Sequence, residues 1–199
     1  MANDTKEKIL TAALKLFSEK GYNGTNVREL SNELGLVKSA LYKHYGSKEA
    51  VWHALLDSME TYYSERFGSE SNLPPVPDST DELLAMTMDM VTFTVNDENI
   101  KMTRKVLMTE QFRDSRIRDL ATKHFLIGTK QIFVHIFAGM IERGLLREDD
   151  PDMLAYEYTA PITVLIHLCD REPKKIPEAM TQVENFCRRF IELHKSTSI

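Results

Sequence analysis

Residues 25–48 read TNVRELSNELGLVKSALYKHYGSK, and the fold turns on how this stretch is parsed. Val27, Leu30 and Leu34 are spaced three and four apart, so they share one face of a helix. Thr25 and Asn26 are both good N-cap residues, and Glu29 stands three positions after Asn26, as a capping box requires. Gly35 follows Leu34 and suits the left-handed conformation that ends a helix. A second helix is expected from about Val37 to His44, with Leu41 and Tyr45 facing inward and Lys38, Ser39, Tyr42 and Lys43 largely elsewhere. Gly46 ends it, and Ser47 caps a third that carries Lys48 in its first turn. A cation at a helix start opposes the helix dipole, unless an anion such as a phosphate is shared there.

Two short helices joined through glycine are common, and a solvated basic face on such a hairpin calls for no nucleic acid. Lys38, Ser39, Tyr42, Lys43 and His44 within seven positions, next to Lys48 at a helix start, fit a DNA-binding helix-turn-helix better. Val37 is a poor N-cap, so the second helix is expected to start without side-chain support.

The rest of the chain reads as helical. A helix over about 5–20 presents Ile9, Ala13, Leu16 and Phe17 on one face and stops before Gly21. A long helix runs from Ser47 to Phe67, followed by a loop over 68–82 containing three prolines. Further helices are expected near 80–96, 99–112, 115–143, 151–170 and 175–195, with Pro161 predicting a kink in the fourth of these. No segment alternates like a strand. The expectation is an all-α chain with an N-terminal three-helix domain over 1–47 and a larger helical domain over 48–199.

Charge divides along the same line. Residues 1–50 hold eight Lys/Arg and six Asp/Glu, while the remainder holds seventeen and twenty-four. A modest positive balance makes one copy a weak DNA binder, and two copies on a two-fold-related site would double the phosphate contacts. No apolar run is expected to span a membrane, and the charged N-terminus lacks a signal peptide's apolar core, so a cytoplasmic protein is expected. Cys169 and Cys187 could in principle pair, but two free buried thiols fit a cytosolic protein better. His124 and His135 sit about 16 Å apart by helix rise, too far to share an ion. With no glycine-rich phosphate loop and no nucleophile motif, neither an enzyme, a metal site nor a cofactor is expected.

Residues 8–55, KILTAALKLFSEKGYNGTNVRELSNELG followed by LYKHYGSKEAVWHALL, resemble the N-terminal domain of the TetR/AcrR family of bacterial transcriptional repressors. The shared positions include Ala13, Phe17, Gly21, Thr25, Gly35, Leu41, Tyr42, His44, Lys48 and Glu49. Relatives often carry Ser or Thr where this chain has Val37, and so make a hydroxyl contact that is absent here. The resemblance implies a dimeric repressor on a palindromic operator in double-stranded DNA, released by a small-molecule effector. Asn26, Tyr42, Lys43, His44 and Lys48 are then expected on phosphates, and Arg28, Lys38, Ser39 and Ala40 on bases. The alternative is a helix-turn-helix regulator controlled by a protein partner, with no small ligand.

An effector site is expected among Met86, Met90, Phe93, Met102, Met108, Phe112, Phe125, Phe133 and Tyr158, residue types that suit an adaptable apolar pocket and an ordinary core equally well. On the last two helices, Ile162, Leu165, Val183, Phe186, Cys187 and Phe190 form apolar stripes. These stripes face either the body's own core or a second copy; the resemblance favours the second copy, as a four-helix interface.

Overall fold

The computed structural model describes residues 2–68 and 72–196. The chain is all-α: α1 (Ala2–Gly24), α2 (Val27–Glu33), α3 (Lys38–His44), α4 (Lys48–Phe67), α5 (Thr80–Asn96), α6 (Glu98–Glu110), α7 (Ser115–Thr122), α8 (Gly128–Glu142), α9 (Pro151–Arg171) and α10 (Ile176–His194). Among the described residues no strand forms; Leu146 and Lys195 make one isolated antiparallel bridge. The loop expected over 68–82 includes residues 69–71, which lie outside the described residues, and α5 already begins at Thr80.

The local signals act as their chemistry dictates. The helical dihedrals of α1 break at Gly21 (φ 72°, ψ 170°), a conformation that disfavours any side chain. Asn26 is the N-cap of α2: its side chain accepts from the amides of Arg28 and Glu29, and Glu29 reaches back to the Asn26 amide. Ser47 accepts from the Ala50 amide at 3.0 Å where α4 begins. Val37 caps α3 with no side-chain hydrogen bond. Asp150 caps α9, with Pro151 at its first turn, and the helix continues through Pro161.

The chain divides into two compact units. The first combines Met1–Ser64 with Glu98–Ala121, and the second combines Glu65–Asp97 with Thr122–Ile199. The division expected at 47/48 is therefore displaced. The three N-terminal helices share a unit with most of α4, with α6 and with nearly all of α7, because α1 is too apolar on two sides to be covered by α2 and α3 alone. Ala12, Ala13, Leu14, Leu16 and Phe17 are all buried. In this unit α6 packs on α1. The first unit carries fourteen Lys/Arg against twelve Asp/Glu; the second carries eleven against eighteen.

The core of the second unit joins α5, α8, α9 and α10. Phe133, Phe137, Tyr158 and Phe190 pack ring against ring there, with centroids 4.7 to 5.7 Å apart. The Tyr158 hydroxyl is paired with Thr87 Oγ1 at 2.9 Å. Burial pushes the Tyr158 hydroxyl far above its ordinary pKa. Cys169 and Cys187 are both buried, and no disulfide joins them.

Three expectations need correction here. The single helix expected over 115–143 is α7, a π-helical turn (Lys123–Ile127) and α8. The wide turn has no proline to announce it; its signal is Gly128, where a Cβ would lie 2.6 Å from the Lys123 carbonyl oxygen. The run Ser115–Glu142 is also long and apolar enough to cross a membrane by length and composition alone, contrary to the expectation that no run would be. It carries six charged residues, and its apolar residues Ile132, Phe133, Ile136, Phe137 and Met140 are buried in the second unit's core.

The third correction concerns the stripes on α9 and α10. Ile162, Val183, Cys187 and Phe190 are buried within this one chain, so they have no surface to offer a second copy. Leu165 and Phe186 are half-buried and pack against the same core. The large apolar residues that α9 does expose are Met153, Tyr156 and Val164, and α10 exposes Leu193.

Candidate DNA-binding surface

The helix-turn-helix is α2 and α3 with the turn at Gly35 (φ 63°) between them. Leu30 and Leu41 are fully buried and anchor the two helices inward. On α3, Leu41 is the one buried residue. Lys38, Ser39, Tyr42 and Lys43 are exposed, and Ala40 and His44 are half-buried. Lys38 Nζ lies 5.7 Å from the centre of the Tyr42 ring, one turn along. The absence of an acidic residue in α3 leaves its outward face basic. Arg28 and Asn26 at the start of α2 are exposed as well.

Two ion pairs brace α2 on α1: Lys15 with Glu33 and Lys20 with Glu29, each at 2.6 Å. These pairs are exposed, and a surface pair of this kind contributes at most about 1 kcal/mol. They fix direction more than they add stability.

Lys48 is placed differently from the expected phosphate ligand. Its ammonium donates to the carbonyl oxygens of Tyr22 and Thr25, each at 2.8 Å, and lies 4.0 Å from the centre of the Tyr22 ring. Burial lowers its pKa below that of a free lysine. Two of its three donors therefore tie the start of α4 to the turn that leads into α2. Asn26 likewise uses its side-chain oxygen on the α2 cap.

Sequence reasoning missed the residues that hold this turn from behind. Tyr22 packs against Trp52 and Phe17, with centroids 4.9 and 5.7 Å away. Trp52 Nε1 donates to Asp114 Oδ2 at 3.1 Å. Burial alone would raise the Asp114 pKa. The indole hydrogen bond and the amides of Ile117 and Arg116 outweigh it and hold the carboxyl below its usual 3.8. Glu110, buried at the end of α6, accepts from the Tyr22 amide at 3.1 Å. A signal was present: Ile100, Thr103, Val106, Leu107 and Glu110 recur at helical spacing, which puts a carboxylate on the buried face of α6.

The residues expected to line an effector site divide between the two units. Met102, Met108 and Phe112 belong to the first unit; Met86, Met90, Phe93, Phe125, Phe133 and Tyr158 belong to the second. Phe112 is 89 % exposed, which removes it from any enclosed site. Phe133 and Tyr158 are buried in the aromatic core. Met86, Met90, Phe93 and Phe125 are half-buried. Arg66 lies 4.2 Å from the centre of the Phe93 ring, and Phe125 meets His167 edge-on at 6.3 Å.

Residues 9–55, which span this surface with Tyr22, Lys48 and Trp52, match the family described as "Bacterial regulatory proteins, tetR family". The helix-turn-helix head belongs to the tetR family. Within that family, the head is similar to YuxN of Bacillus subtilis, an uncharacterised helix-turn-helix-type transcriptional regulator, at 43 % identity over 75 residues, which is 37 % of this chain and 25 % of that one. It is 38 % identical over 58 residues to IcaR of Staphylococcus epidermidis, the negative transcriptional regulator of the biofilm operon icaADBC, covering 29 % of this chain and 31 % of IcaR. Each match thus spans a third or less of the relative's length. Over the whole chain, the fold is similar to that of SmeT in its triclosan complex, with a TM-score of 0.71 at 19 % identity, covering 98 % of this chain and 93 % of SmeT. SmeT is the repressor of the Stenotrophomonas maltophilia multidrug efflux pump SmeDEF. The tetR-type head is thus shared in sequence, and the helical body in fold alone.

Proposed function

We propose that this chain is a DNA-binding transcriptional repressor, acting in the cytoplasm as a homodimer on a palindromic operator. The observation that carries this reading is α3, which buries Leu41 and leaves Lys38, Ser39, Tyr42 and Lys43 exposed beside Arg28. Tyr42, Lys43, His44 and Asn26, through its side-chain amide, contact phosphates; Arg28, Lys38, Ser39 and Ala40 reach base edges, and the small Ala40 suits a thymine methyl. Lys48 supports the surface from behind.

The dimer follows from charge. A first unit with an excess of two positive charges neutralises few phosphates, and two heads on one operator double that number. The copies meet through the exposed apolar residues of α9 and α10, Met153, Tyr156, Val164 and Leu193.

A small apolar molecule binds the second unit near Met86, Met90, Phe93 and Phe125 and releases the operator. The half-burial of these adaptable side chains supports this, as does the likeness in fold to SmeT, which binds triclosan. The test is selection of bound duplexes from random DNA by the full chain. A palindrome with half-sites about one helical turn apart is the expected result. Recovery of unrelated sequences, or of none at low salt, would count against a sequence-specific dimer.

A further inference from the structure

Glu110 has no place in the DNA-contacting surface, yet it is 3 % exposed and carries a carboxylate. A buried carboxylate is costly unless its oxygens are paired. Its Oε1 accepts from the Tyr22 amide at 3.1 Å, and Arg113 Nη1 stands 3.8 Å away at the surface. Its site is shaped to fit. A Cβ on Gly21 would lie 2.7 Å from the same Oε1, and Gly21 holds φ at 72°, so the glycine both turns the chain and leaves room for the carboxylate.

What Glu110 holds is the start of the turn into α2. The Tyr22 carbonyl receives Lys48 Nζ, and Lys48 also holds the Thr25 carbonyl. Thr25 precedes Asn26, the cap of α2, on which Arg28 is the second residue. The Trp52 ring, fixed to Asp114 just beyond α6, covers the Tyr22 ring. One short segment, Gly21–Asn26, is therefore gripped by α4 through Lys48 and by α6 through Glu110.

We infer that Glu110 is a positioning residue for DNA binding: by accepting the Tyr22 amide in the space left by Gly21, it sets the placement of the α2 start and so of Asn26 and Arg28 on the duplex. The inference rests on the DNA-binding reading above. Reach matters here, not charge, because the Tyr22 amide needs an acceptor at one position. The substitution E110Q keeps an oxygen at that point; E110D, one methylene shorter, does not.

The experiment measures the affinity of the full chain for a duplex recovered by selection, beside the thermal midpoint and helical signal of each variant. E110A and E110D each lose about tenfold in affinity, as an unpaired buried amide implies, while E110Q stays within about threefold of the parent. G21A loses affinity as well, and it loses less on the E110A background, where the contested space is already empty. Three outcomes overturn the inference: E110A binding like the parent, E110A and E110Q losing equally, or a loss explained entirely by the unfolded fraction. If the unaltered chain holds no duplex even at low salt, the DNA-binding reading falls first, and this inference with it.

Discussion

Lys48 stands where the sequence places it, at the start of a helix, with its ammonium already engaged inside the first unit. From the sequence it is a cation at the start of a helix, and a phosphate is the obvious partner. In the structure its ammonium lies under the Tyr22 ring and bonds two carbonyl oxygens. Lys48→Ala is therefore expected to lower the stability of the first unit by about 1 kcal/mol, because the Thr25 carbonyl loses the ammonium and the Tyr22 carbonyl keeps only the Thr25 amide at 3.3 Å. The slope of DNA affinity against salt should stay as in the parent, whereas loss of a phosphate contact would reduce it by about one. Calorimetry and binding across a salt series separate the two roles. Asp114 makes a second prediction. Its folded pKa is depressed below that of the unfolded chain, so its stabilising effect is full above the usual carboxylate value of 3.8 and is lost as pH falls through the lower folded value. Trp52→Phe removes the indole donor; carboxyl NMR should show the Asp114 titration moving upward, with acid unfolding beginning at higher pH.

At the scale of elements, what was legible is what local chemistry decides. The capping box at Asn26, the break at Gly21, the Ser47 cap and the Asp150–Pro151 start are each written in a few adjacent residues, and each occurs where expected. The π-helical turn was not legible, since the apolar spacing of 115–142 continues across it and Gly128 alone marks the crowding. Burial of the α9 and α10 stripes was ambiguous for a related reason. An apolar face at helical spacing says that something covers it, not whether the cover is the same chain. Glu110 was missed because a carboxylate on an apolar face gains its meaning from Tyr22, 88 positions earlier. At this scale α3 offers its own test. Its start has extended backbone at Val37 (φ −74°, ψ 147°) suited to a cap, but no oxygen to provide one. Val37→Ser should stabilise the helix-turn-helix by about 1 kcal/mol, seen as slower amide exchange along α3, and should tighten binding to all duplexes alike. A decrease in exchange protection would mean that Val37, 69 % exposed, is needed for something other than capping.

For the whole molecule, assembly is the property to measure. If two copies meet through Met153, Tyr156, Val164 and Leu193, then Val164→Glu places an unpaired charge in that contact. Light scattering should report half the parent's mass, and operator affinity should fall by about a hundredfold or more as cooperative binding by two heads becomes binding by one. The same substitution at exposed Leu126 should leave the mass unchanged, which controls for a general effect of added charge.

The chain passes between its two compact units three times, near residues 64, 97 and 121. This has a consequence for modularity. A recogniser that can be unplugged needs a single seam, and here α6, which holds the Gly21–Asn26 turn through Glu110, begins 50 residues after α4 does. Grafting residues 1–47 onto another body would transplant the reading surface without Glu110, Asp114 or Trp52. A working chimera should therefore need residues 1–64 and 98–121 moved together, so the portable piece is a discontinuous one.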